Sequence, residues 1–279
     1  MFEKKKKYGQ NFLFDPKIPE RMAELSDIDG NTGALEIGPG MGILTEALAK
    51  RAKKTVSVEI DRELIPILEK RFETYGNVKI INKDIMETDI KKLVREEFDG
   101  MPVRVCANLP YYITSPVIMS LLESGCGFKS VTVMIQKEVA SRLCAASGDS
   151  DYSAFTAAVS YYASVKKLFN VPRGCFKPIP NVDSAVIRMD LYDTPPVTVK
   201  SERKLFEIIK AAFSARRKTL LNSLFTYYSG SITKEKIQEI TEKAGIDPNV
   251  RGEQLDLTRF AVLADAVYEF ENGYGKTQK

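Results

Sequence analysis

The stretch Ala34-Leu35-Glu36-Ile37-Gly38-Pro39-Gly40-Met41-Gly42 decides the fold. Its first four residues read as a buried strand, and an amphipathic helix over 44–52 follows. Between them the glycines allow a sharp turn and let the backbone approach a ligand closely. Several nucleotide-binding folds share such a turn, so it does not name a ligand by itself. It departs from the dinucleotide fingerprint, in which Gly38 and Gly40 require a third glycine at the place held by Ile43. That spacing counts against a nicotinamide oxidoreductase.

Working outward, β-branched runs alternate with helical stretches. Strands are expected at Thr55–Glu59, Val78–Asn82, Val103–Ala107 and Val131–Gln136, with helices over Arg62–Tyr75 and from about Ser115 and Lys137. This alternation predicts a parallel sheet covered by helices. Val165–Val171 and Ala185–Tyr192 read as antiparallel neighbours at the sheet edge. Thr194-Pro195-Pro196 then breaks the pattern. Beyond it helices are expected at Arg203–Phe225, Thr233–Ala244 and Leu257–Phe270, with no strand. The expectation is α/β: a first domain over 1–193 and a small all-helical domain over 194–279.

Composition excludes much. The chain has no histidine, which removes every mechanism built on imidazole. Its four cysteines (Cys106, Cys126, Cys144, Cys175) form no C-x-x-C pair, so neither a metal site nor a disulfide framework is expected. No apolar run is long enough to span a bilayer, and Met1-Phe2-Glu3 before Lys4 to Lys7 lacks the apolar core of a secretory signal. The expected compartment is the cytoplasm. Net charge is +4, yet 200–222 alone carries seven basic residues against two acidic ones. Either this cluster or Lys4–Lys7, taken singly, reads as a solvated face; two such clusters in a balanced chain tilt towards a phosphate backbone.

Three strand ends carry candidate ligand groups. Glu59 stands about 20 residues past the glycine turn, where a carboxylate can accept from both hydroxyls of a ribose. Asp84 follows the third strand and could accept from an adenine amino group. Asp61 reads better as a helix cap. The ordered set points to an adenosyl cofactor. After the fourth strand comes Asn108-Leu109-Pro110-Tyr111. Adenine N6 is a poor nucleophile because its lone pair is delocalised into the ring. The Asn108 carboxamide oxygen and the Leu109 carbonyl could accept its two N–H bonds and favour the pyramidal form. Pro110 stiffens the turn, and Tyr111 offers a face on which an unstacked base can lie. Phe176, in Phe176-Lys177-Pro178-Ile179-Pro180-Asn181-Val182-Asp183-Ser184, is either a second wall for that base or a core aromatic.

With these motifs in order, the chain resembles the rRNA adenine N6-dimethyltransferase family nearly end to end. Within that family it is most similar to the bacterial small-subunit (16S), kasugamycin-sensitivity branch. Gln10-Asn11-Phe12-Leu13, the glycine turn, Val58-Glu59-Ile60-Asp61, Asp84, Asn108–Tyr111 and Phe176–Ser184 carry the resemblance. Phe213–Leu220 and Arg251-Gly252-Glu253-Gln254-Leu255 resemble signatures of the branch. Tyr152-Ser153-Ala154-Phe155-Thr156 departs from it, where many relatives carry Tyr-Gly-x-Leu-Ser.

The resemblance implies a Rossmann-like class I methyltransferase using S-adenosyl-L-methionine, with Asn11, Leu13, Gly38, Gly40, Glu59, Asp84 and Asn108 at the cofactor. The N-terminal motif would fold over the cofactor as a lid. Asn108, Leu109, Pro110, Tyr111 and Phe176 would serve catalysis, and Arg216, Arg217 and Lys218 would meet RNA. It further implies dimethylation of two adjacent adenosines near the 3′ end of 16S rRNA in immature small subunits; with no apolar surface stripe left over in the sequence, a monomer is the default expectation. Two alternatives stand beside it: a large-subunit enzyme of the macrolide-resistance type, and a non-catalytic ribosome assembly factor.

Overall fold

The computed structural model describes residues 12–215 and 217–274. They form two compact units. One holds the described residues up to Ser141 together with Ala163–Asp193; the other holds Arg142–Tyr162 with the chain from Thr194. The sequence reading places a single boundary at 193/194 and does not anticipate the excursion of 142–162 into the second unit.

In the first unit, strands β1 (Phe12–Leu13), β2 (Gly33–Ile37), β3 (Lys54–Glu59), β4 (Val78–Asn82), β5 (Val103–Asn108), β6 (Ser130–Gln136), β7 (Ala163–Val171), β8 (Phe176–Lys177) and β9 (Ser184–Leu191) follow in chain order. Seven of them make one sheet in the order β4-β3-β2-β5-β6-β9-β7, and β1 pairs antiparallel with β8. The β4-β3-β2-β5-β6 pairings are parallel, while β9 runs antiparallel to both β6 and β7. That is the α/β sheet with an antiparallel edge read from the sequence. Helices α1 (Lys17–Leu25), α2 (Ile43–Ala49), α3 (Ile65–Phe72), α4 (Ile90–Phe98), α5 (Thr114–Glu123) and α6 (Lys137–Leu143) connect the strands. All five residues of β2 are buried, as a central parallel strand covered on both faces requires. One of those five is Glu36.

The second unit is helical among its described residues: α7 (Ala154–Tyr162), α8 (Glu202–Ala212), α9 (Leu220–Tyr227), α10 (Lys234–Lys243) and α11 (Leu257–Tyr274). The single helix expected over 203–225 is two helices. Ser201 caps α8 through the Lys204 amide, and Thr219 caps α9 through the Asn222 amide. The end of α8 is also closely packed from a distance. Gly252 lies so close to the end of α8 that a Cβ there would stand 2.6 Å from the Ala212 carbonyl oxygen. Arg217 and Lys218 are therefore exposed residues of a turn, not of a helix. No helix of the described residues is long and apolar enough to cross a membrane.

Candidate active site

Strand order reverses at β2, which has β3 on one side and β5 on the other. In open α/β sheets the crevice beyond the strand carboxyl ends at such a point is where ligands bind. A cavity opens there. It is lined by the glycine turn after β2, the ends of β3, β4 and β5, and the aromatic residues Phe12 and Phe176.

The turn is held in a conformation that only glycine adopts without strain: φ is +67° at Gly38, +56° at Gly40 and +80° at Gly42. The Gly38 amide donates to the Val58 carbonyl at 2.9 Å, which locks the turn to β3. At Gly42 a Cβ would approach the Phe72 ring to 2.8 Å. Bare backbone thus faces the cavity at the head of α2.

Glu59 is almost fully buried at the end of β3. Its Oε2 accepts from the Gly40 amide at 3.1 Å, and its Oε1 accepts from the Asp61 amide at 2.9 Å. Each oxygen keeps a further lone pair for a ligand hydroxyl. Burial pushes this carboxyl above its ordinary range, against those two amide hydrogen bonds. Asp61 accepts from the Glu63 amide and so caps the turn into α3, as the sequence suggests. Asp84 caps the turn over 85–87 by accepting from the Met86 amide at 2.8 Å, and it also lines the cavity.

The acceptor side is built at the end of β5. The Leu109 amide donates to the Met134 carbonyl on β6, and the Pro110 carbonyl accepts from both the Ile113 amide and the Thr114 hydroxyl. The Asn108–Pro110 backbone is therefore fixed from two sides. Tyr111 is half-buried, and its Oη lies 2.8 Å from Oγ of Ser184 at the start of β9. Phe176 is 1% exposed and packs within the core, as the second of its two sequence readings has it, and it also lines the cavity.

The cavity gathers Leu13, Gly38, Gly40, Glu59, Asp84, Asn108, Leu109, Pro110, Tyr111 and Phe176 of the expected residues. Asn11, Lys4–Lys7 and Arg216 lie outside the described residues. Arg217 and Lys218 belong to the second unit. Gly252, in the Arg251–Leu255 segment, has the packing role already described.

One cavity residue was passed over by sequence reasoning. Glu36 is wholly buried; its Oε2 accepts from Thr45 Oγ1 and Ser57 Oγ, each at 2.6 Å. Its Oε1 has no hydrogen-bond partner. Burial, aided by the nearby Glu59 charge, raises its carboxyl to about 7, against those two hydroxyls. The signal was an acid inside a strand of otherwise buried apolar residues. Glu59 keeps a lone pair on each oxygen at the cavity, and the bare backbone of Gly38 and Gly40 stands beside it, as an adenosyl ligand with ribose hydroxyls requires. The donor set therefore fits S-adenosylmethionine.

Fold and cavity together define a Rossmann-like class I methyltransferase. A match to the ribosomal RNA adenine dimethylase family extends over residues 1–262, and the chain belongs to that family. It is thus an S-adenosylmethionine-dependent methyltransferase of ribosomal RNA. It is 48% identical over 265 residues to ribosomal RNA small subunit methyltransferase A of Lachnoclostridium phytofermentans, covering 95% of this chain and 91% of that one. To the protein of the same name from a Geobacillus strain it is 46% identical over 268 residues, covering 95% and 92%. Among solved structures, a dimethyladenosine transferase from Plasmodium falciparum superposes with a TM-score of 0.76 at 28% identity, covering 94% and 98% of the two chains. The 23S rRNA methyltransferase ErmE superposes with a TM-score of 0.69 at 25% identity, covering 92% and 100%.

Proposed function

We propose that this chain dimethylates N6 of two adjacent adenosines near the 3′ end of 16S rRNA, acting as a monomer in the cytoplasm on immature small subunits. The observation that carries the chemistry is the convergence of Glu59, Asp84 and the Asn108–Tyr111 turn on one cavity. Small-subunit specificity is supported by relatives of that name at 46–48% identity over nearly the whole chain, against 25% for the 23S enzyme.

In this reading Glu59 takes the ribose hydroxyls of the cofactor and Asp84 its adenine amine. Leu13, the Gly38–Gly40 turn, Asn108 and, by the family resemblance, Asn11 hold the remainder. S-adenosylmethionine supplies a methyl on a cationic sulfur that needs no further activation. The protein's contribution is alignment with water kept out. The Asn108 carboxamide oxygen and the Leu109 carbonyl accept from the target amine and turn its lone pair toward the methyl. Tyr111 and Phe176 hold the base plane. The methylated nitrogen is strongly acidic and loses its proton readily, so the lack of histidine is no obstacle. The 194–279 region, with Arg216, Arg217 and Lys218, meets the subunit's phosphates.

The test is methyl transfer from labelled S-adenosylmethionine to small subunits from an unmethylated strain, with large subunits in parallel. Dimethyladenosine confined to small-subunit RNA is expected. Label in the large subunit would move the chain to the macrolide-resistance type, and tight binding without label would make it an assembly factor.

A further inference from the structure

Ten large apolar side chains stand exposed among the described residues, and their distribution is uneven. Ile60, Met86 and Tyr112 are in the cavity wall. Phe14, Ile179 and Val182 lie on the two segments that frame it. Three of the ten thus line the cavity, and three more lie on or just after the segments that contribute Leu13 and Phe176 to it. Ile60 and Met86 follow β3 and β4, on the side assigned to the cofactor, and Tyr112 follows Tyr111 on the acceptor side.

Phe14 follows directly on Leu13, which lines the cavity; its ring is 47% exposed, and its amide donates to the Cys175 carbonyl at 3.1 Å. Lys177 follows Phe176 in the same way, and its ammonium stands 5.1 Å from the Phe14 ring centroid. Ile179, 63% exposed, continues that segment. An aromatic ring and a cation therefore sit one step along the chain from Leu13 and Phe176, both of which line the cavity, and the exposed Ile179 follows two residues beyond Lys177.

We propose that Phe14, Lys177 and Ile179 form a second nucleotide subsite, which receives the nucleotide joined to the target adenosine. This rests on the reading that the cavity takes an adenine of RNA. A target base that enters the cavity stays covalently tied to its neighbour, so the neighbour must come to lie against the rim. Withdrawing one base also strips the adjoining base of a stacking partner. The apolar ledge of Phe14 and Ile179 restores that contact, while Lys177 meets the phosphate between the two nucleotides. Stacking on an aromatic side chain tolerates any base. The subsite therefore contributes affinity and register rather than sequence choice. With two adjacent target adenosines, it would hold one while the other reacts.

The experiment uses the full chain with small subunits from an unmethylated strain, measuring KM for subunits and, separately, the Kd for S-adenosylmethionine. Phe14→Ala should raise the subunit KM roughly 5- to 150-fold, the equivalent of the ~1–3 kcal/mol measured for base stacking, and leave the cofactor Kd unchanged. Phe14→Trp should keep the wild-type KM, and Phe14→Leu should not. Lys177→Gln should raise KM less and flatten its dependence on salt. An unchanged KM in Phe14→Ala, or full rescue by leucine, overturns the subsite. Failure of the wild-type chain to methylate the subunits would instead overturn the functional reading beneath it. A misfolded Phe14→Ala protein would betray itself by losing cofactor affinity, and the leucine–tryptophan pair then decides.

Discussion

The hydrogen bond between Tyr111 and Ser184 should hold in place the ring proposed to stack on the target base, and the two partners should fail unequally. Ser184 is fully buried and Tyr111 only half so, with their hydroxyls 2.8 Å apart. Burial, offset by that hydrogen bond, raises the phenol further above its ordinary range, so it remains a neutral partner at any working pH. Tyr111→Phe strands the Ser184 hydroxyl where water does not reach, which costs ~1–3 kcal/mol of stability. Ser184→Ala strands a phenol with access to solvent, so its cost should stay near the ~0.5–1.5 kcal/mol of an ordinary neutral bond. The double variant removes both polar groups and should be less destabilised than the sum, with a coupling of about 1 kcal/mol. Urea unfolding supplies these energies, and single-turnover methyl transfer supplies the functional half. If the bond fixes the ring, each single variant slows transfer several-fold and the double variant is no slower than the worse single. Additivity in both assays would refute the reasoning and leave Tyr111 oriented by packing alone.

Glu36→Gln should stabilise the ligand-free protein at pH 8 and scarcely at pH 4. The native carboxyl, raised to about 7, holds its proton more tightly than the unfolded one. Its cost is thus absent below the unfolded value, grows as pH rises from there towards 7, and approaches roughly 3 kcal/mol above it; equal shifts at both pH values in urea unfolding would contradict this. Glu59→Ala should weaken cofactor binding at least tenfold by calorimetry while subunit binding persists, and an unchanged affinity would remove Glu59 from the site. Arg217→Gln with Lys218→Gln should weaken subunit binding and lower its salt slope by about one for each phosphate no longer neutralised. An unaltered slope would make them solvated surface charges.

The parts of this protein that were legible in its sequence are those whose signals are local. Strand periodicity and the Gly38–Gly42 turn gave the sheet, because apolar alternation and positive φ are set by neighbouring residues. Glu59, Asp84 and Asn108 could be placed at one edge because parallel strands all end on the same side. What could not be read depends on distant contacts. The break between α8 and α9 has one local signal, the Thr219 cap, but the close approach of Gly252 to Ala212, forty residues away, lies outside any window over 203–225. The membership of 142–162 in the second unit is likewise a matter of packing.

Glu36 is the instructive omission, since its signal was local and was absorbed into the glycine motif. An acid at the centre of a buried parallel strand costs stability unless something answers its charge. Thr45 and Ser57 answer one oxygen only. A structural role would have been served as well by an apolar residue of similar volume, which carries no such cost. The other oxygen is left without a partner in the protein interior, so Glu36 is carried at a cost that the two hydroxyls only partly offset. Glu36 and Glu59 are both held above their ordinary range largely by burial, and the Glu59 charge adds to the cost of ionising Glu36. A cation entering the cavity would relieve both at once.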